Sequence, residues 1–275
     1  MSAPSRPGVT AWAGPHGGLA LFLRPGLLPV ALVLGAWALL PNFDHIPAYK
    51  LPHLAQVATE LWHLVVSGSI FAALGDSLSR LVIAFVIGAV LGVGVGVAVA
   101  LSKMLEDLLM PLIAFFNSIA GIAWIPLAIV WFGFGSGPVL FVIANNVFFI
   151  VLYNTLLGAQ SIPRVMYDAV RTLGGDRHRT MVREVLVPGA MVGVLGGLRT
   201  GLAFAWRALV AVEMIAASNG LGFMSIQASR VFDGSTVVSV ILVIGVVWVL
   251  MDRLLLRPVE ALTVRRWGML GGADL

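Results

Sequence analysis

Apolar residues run along this chain in long blocks, and charged residues crowd into a few short stretches between them. A helix that spans a bilayer needs about 20 mostly apolar residues. On that criterion the pattern predicts six spans, at about 27–40, 81–101, 108–132, 139–157, 189–217 and 237–254. The first is the shortest and draws on residues from either end. Between it and the second span, Leu54, Ala55, Val57, Ala58, Leu61, Trp62 and Val65 recur at helical spacing. That periodicity predicts an amphipathic helix lying on the outer membrane surface.

Glycine and proline add detail to the spans. Gly88, Gly92 and Gly96 fall on one face of the second span, and close backbone approach drives helix packing in lipid, so this face predicts a tight helix contact. The third span holds Pro111, Pro126, Asn117 and Ser118, and freed carbonyls there need a neighbour or a wet cavity. Residues 133–137 read as a tight uncharged turn, and the loop near Lys103, Glu106 and Asp107 as a short connector. Residues 161–187 form the most charged stretch and predict two short helices broken at Gly174 and Gly175. Residues 218–236 read as a loop. The expected organisation is a disordered cytoplasmic tail at 1–20, an all-α membrane domain at 21–260 with the charged loop inside it, and a cytoplasmic tail at 261–275.

Composition agrees with this class. Of the 275 residues, 59% are apolar and 11% charged, against about 45–50% and about 25% in soluble domains. Mean hydropathy is +0.99. Disorder is excluded by the same balance. Cysteine is absent, so no disulfide or thiolate metal site forms. The first residues lack the continuous apolar core of a secretory signal.

The net charge of +4 could suggest nucleic acid, but no basic stripe is interleaved with aromatics, and nucleic acid is not an expected partner. The basic residues instead report orientation. With six spans, twelve of the seventeen fall on the side holding both termini and the 161–187 loop. Three, Lys50, Arg80 and Arg230, fall on the other, and Arg199 and Arg207 lie inside a span. The crowded side is expected to be cytoplasmic, in the inner membrane of a bacterium.

No GxxxxGK[ST] phosphate loop, HExxH pair or GxSxG elbow occurs, so enzymatic chemistry, including ATP hydrolysis, is not expected of this chain. Ionisable groups at bilayer depth cost about 2.5–3.5 kcal/mol each and mark a pathway or a buried pair. Arg207 and Glu213 qualify, each as a path residue or as a structural partner of another helix; Asn145 and Asn146 face either a wet cavity or a neighbouring helix. Arg199 is expected to snorkel to the cytoplasmic end. Phe115, Phe116, Trp124 and Trp131 read as packing and interface anchors.

The charged loop reads Tyr167-Asp168-Ala169-Val170-Arg171-Thr172-Leu173-Gly174-Gly175-Asp176-Arg177, then Val185-Leu186-Val187-Pro188. It resembles the EAA-xxx-G…LP loop of permease subunits of ABC importers. Ile125-Pro126-Leu127, Trp131-Phe132-Gly133, Gly196-Gly197-Leu198-Arg199, Val212-Glu213-Met214 and Gly220-Leu221-Gly222-Phe223-Met224 are similar to the nitrate, sulfonate, taurine and bicarbonate branch. Asp168 stands where that family has Glu and Val170 where it has its second Ala, and Gly174 to Pro188 is one residue longer than usual.

The resemblance implies a type I importer permease of about six transmembrane helices. Asp168, Ala169, Arg171, Thr172, Leu173, Gly174, Gly175, Asp176 and Arg177 would form a coupling helix for the ATPase. It also implies two ATPase subunits, which bind the ATP and Mg, a second copy of the permease, and a periplasmic solute-binding protein. The implied cargo is a small anion. The alternative is a self-contained secondary transporter or channel, which would need no docking loop; internal inverted repeats, which would favour it, are not seen.

Overall fold

The computed structural model describes residues 27–39, 47, 49–172 and 178–256. Among these the regular elements are helices. In chain order they are α1 (Leu27–Leu39), α2 (Leu54–Val66), α3 (Ser69–Leu101), α4 (Lys103–Asn117), α5 (Ile125–Phe132), α6 (Ser136–Gln160), α7 (Arg164–Thr172), α8 (His178–Met181), α9 (Val187–Ala216), α10 (Leu221–Arg230) and α11 (Gly234–Met251).

The core is a three-helix layer with α6 in the middle. Val139, Val142, Ile143, Val147, Val151 and Leu152 of α6 are fully buried. On one side, α3 presents the expected glycine face. A Cβ at Gly88 would stand 2.5 Å from Ala144 O, one at Gly92 2.8 Å from Phe148 O, and one at Gly96 2.9 Å from Thr155 Cβ. On the other side, α9 uses the same device. A Cβ at Gly193 would lie 2.5 Å from Asn154 O, and one at Gly158 of α6 2.8 Å from Gly193 Cα. Helices this close gain dispersion contacts along their whole length, which is the main attraction available between helices in lipid.

Among the described residues, four helices are long and apolar enough to cross a bilayer, Ser69–Leu101, Ser136–Gln160, Val182–Ala216 and Gly234–Leu254, or five spans if the bent pair Lys103–Asn117 and Gly121–Phe132 is one. Two of the six expected spans differ, among the described residues, from a single straight helix of bilayer length. The described α1 has 13 residues, about 20 Å of helix against a bilayer core of about 30 Å. The expected straight span at 108–132 is broken instead: α4 and the segment from Gly121 to Phe132 meet at 89°. Pro126 opens α5 at its first positions, where a missing N–H costs nothing, and a 3-10 turn over Gly121–Trp124 carries the bend.

Other boundaries also differ. α3 starts twelve residues before 81, because Arg80 is neutralised inside the protein and the helix need not end there. Lys103, Glu106 and Asp107 belong to the start of α4 rather than to a loop; Ser102 caps the helix, and Lys103 pairs with both acids. The 218–236 loop contains α10. Gly133 and Gly135 take φ of 72° and 126°, which confirms the turn before α6. The amphipathic α2 forms where expected, but Val57 and Leu64 are buried against the bundle, and Ser239 Oγ of α11 donates to Val57 O at 3.3 Å. The aromatics pack as anchors: Phe116 and Trp124 have centroids 6.0 Å apart, Trp131 and Phe141 5.5 Å.

Candidate functional site

Two ends of the bundle carry the polar groups. Gly135 N donates to Ala216 O at 2.8 Å, so the start of α6 meets the end of α9 and the two helices run antiparallel. The end of α6 therefore lies with the start of α9, and between them sits α7.

One side of α7 is apolar. Tyr167 and Val170 pack on Ile162, Val185, Leu186 and Ala190, a cluster joining α6 to α9. This burial pushes the Tyr167 hydroxyl above its usual pKa. The other side is open. Asp168 and Arg171 have side chains 67% and 62% exposed and stand 3.8 Å apart. Ala169 and Thr172 share that exposure. A pair so exposed is worth little to stability, which leaves both charges available to a partner. Leu173, Gly174, Gly175, Asp176 and Arg177 lie outside the described residues.

The opposite end holds a buried network. Arg80 is 5% exposed and Glu213 is fully buried. Arg80 Nη1 meets Glu213 Oε1 at 2.9 Å and also donates to Asn219 O at 2.8 Å; Nη2 donates to Asn219 Oδ1. Arg80 Nε donates to Ser136 Oγ at 2.9 Å. Glu213 Oε2 accepts from Ser77 Oγ at 2.8 Å and from Gly222 N at 3.0 Å. Gly220 lies against the Glu213 carboxylate so closely that a Cβ there would overlap it. The network thus ties α3, α6, α9 and α10 together and assigns Glu213 the role of a structural pair. Periodicity within α9 could not name Arg80 as its partner, because the two are 133 residues apart in sequence.

Beside this network opens a cavity of about 650 Å3, lined by Asp76, Asn219, Phe223, Gln227, Asp233 and Thr236 among others. Burial pushes the Asp233 carboxyl up, but hydrogen bonds from Thr236 and Ser235 more than offset this and hold it below its ordinary value. The two carboxylates make this cavity a poor seat for an anion.

Arg207 is exposed on α9, with its guanidinium 5.8 Å from the Phe204 ring centroid. Asn145 and Asn146 are partly buried on α6, and Asn146 rests against Gly121 in the α4–α5 break. The structure therefore separates Glu213 from the other three residues expected along a path.

A family model described as "Binding-protein-dependent transport system inner membrane component" matches residues 84–257. The chain belongs to this family. It is a multi-pass membrane permease of the ABC transporter class, a transport component rather than an enzyme. Among relatives, the taurine transport system permease protein TauC of Escherichia coli is 31% identical over 81% of this chain and 82% of its own length. The riboflavin transport system permease protein RibX of Chloroflexus aurantiacus is 36% identical over 87% of this chain and 92% of its own. A crystal structure of an amino acid ABC transporter superposes with a TM-score of 0.60 at 19% identity, over 75% of the permease and 97% of that chain. That likeness supports the same helical fold.

Proposed function

We propose that the permease is the membrane subunit of an ATP-driven importer that moves a small anionic solute, such as a sulfonate, taurine, nitrate or bicarbonate. Two copies enclose the path about an axis along the membrane normal. A periplasmic binding protein delivers solute at the Arg80–Glu213 end. Two ATPase subunits, which hold ATP and Mg, dock on α7 at the cytoplasmic end. Both termini lie in the cytoplasm, and the membrane is the bacterial inner membrane.

The observation that carries this reading is α7 itself. It is anchored by its apolar side to α6 and α9, and it exposes Asp168 and Arg171 where nothing else in the described chain uses them. A motor pushing on α7 pushes on two spanning helices at once. Charged residues on a rigid short helix give a partner strong, oriented hydrogen bonds.

The test is co-purification from membranes. Asp168→Lys combined with Gly174→Pro is expected to abolish capture of the ATPase while the permease still inserts in the membrane. A complex that persists unchanged would overturn the docking role of α7. Transport in vesicles without ATP would overturn the importer reading as a whole.

A further inference from the structure

We propose that Arg207 is the solute's charge contact partway along the translocation path, at nearly the depth of the break between α4 and α5. The proposal rests on the importer reading above and deepens it by placing the anion.

The outward faces of the spans differ. On α3 the exposed residues include Val82, Ile83, Val86, Ile87 and Val90; on α11 they include Ile241, Val246, Val249 and Leu250. Such faces suit lipid. The open face of α9 instead carries Thr200, Phe204 and Arg207. No carboxylate among the described residues pairs with Arg207, and its recorded neighbour is the Phe204 ring. A guanidinium facing acyl chains at this depth is strongly disfavoured, so this face meets water or protein.

A second feature points the same way. Asn117, Ser118 and Ala120 are exposed where α4 stops, and the chain bends by 89° before α5. Irregular backbone at membrane depth is tolerated only where it is buried in protein or lines a wet cavity. Asn146, against this break, is the eleventh of the 25 residues of α6, near its middle. A Cβ on Gly201 of α9 would lie 3.7 Å from Val147, the next residue of α6. Arg207 follows six residues later, about 9 Å towards the Arg80–Glu213 end. The break and Arg207 therefore lie at similar depths, within about 9 Å along the bundle axis. The fixed Arg80–Glu213 pair is spent on structure and the cavity holding Asp76 and Asp233 disfavours anions, whereas Arg207 presents its charge on the open face of α9.

The chain has no cysteine, which permits single-cysteine labelling. Phe204→Cys places a thiol beside Arg207. The full permease, co-expressed with its partners, is labelled in right-side-out and inverted membrane vesicles. The probes are the anionic reagent sulfonatoethyl methanethiosulfonate and the cationic trimethylammonioethyl analogue, each rate normalised to free cysteine in solution. From the side to which the path is open, the anionic reagent is expected to react about tenfold faster than the cationic one. Arg207→Gln should erase that preference. Val246→Cys on the lipid-facing side of α11 should react with neither. Should Phe204→Cys fail to reach the membrane, Ala211→Cys, one turn beyond Arg207, carries the same measurement.

No reaction from either side, equal rates with Arg207 present, or a preference that survives Arg207→Gln each overturns the proposal. The two readings fail separately. Loss of ATPase capture with the labelling preference intact defeats the importer, and intact capture without the preference defeats only the role of Arg207.

Discussion

Replacing Arg80 by Met strips the buried network of its cation while keeping a side chain of similar reach. Glu213 would then hold a carboxylate with no exposure to solvent, left with the Ser77 hydroxyl and the Gly222 N–H. Removing one member of a buried pair costs about 3–5 kcal/mol, because the survivor's desolvation is no longer offset. At about 2–4 °C per kcal/mol, the apparent melting temperature should fall by about 6–20 °C. Size-exclusion chromatography of the detergent-solubilised permease after heating reads this directly. Adding Glu213→Gln removes the stranded charge and should recover part of the loss, a coupling of about 0.5–3 kcal/mol. An unchanged melting temperature in Arg80→Met, or a double variant weaker than the single, would refute the argument that the pair is held by mutual compensation.

Gly92→Ala should destabilise by about 1–3 kcal/mol through overlap with α6, whereas Gly94→Ala, with nothing within 4 Å, should be neutral or stabilising in the same melting assay. Thr155→Val should raise stability by about 1 kcal/mol, since the Thr155 hydroxyl is fully buried and has no hydrogen-bond partner among the described residues. Asp233→Ala should cost about 0.5–2 kcal/mol at neutral pH by removing the α11 cap. Because the folded Asp233 carboxyl titrates below its unfolded value, that contribution is present above about pH 4 and lost as pH falls through the folded value, so variant and parent should converge in acid.

Much of this architecture is legible in the order of residue types. Gly88, Gly92 and Gly96 announce their packing face because small residues at a spacing of four have one plain use in lipid. The turn at Gly133–Gly137 and the amphipathic α2 and α7 are equally local, and each forms within a few residues of its expected place. What stayed hidden depends on distant partners. Arg80 looks like a span boundary until Glu213 of α9 meets it, and only then can α3 extend to Ser69. The bend between α4 and α5 likewise needs more than Pro126: Gly121 must fit against Asn146 of α6. α10 escapes a window set for bilayer-length helices because it has ten residues. The candidate site divides along the same line: the exposed charges Asp168 and Arg171 are readable locally, whereas the burial of Glu213 and the exposure of Arg207 depend on which face of α9 each occupies.

The backbone seams on either side of α6 leave no room for sliding. Where glycine brings chain against chain, a single added Cβ would stand 2.5 Å from Ala144 O on one seam and 2.5 Å from Asn154 O on the other. If α7 docks the ATPase as proposed, close packing along α6, about 37 Å long, favours a tilt of the three helices together over slippage between them.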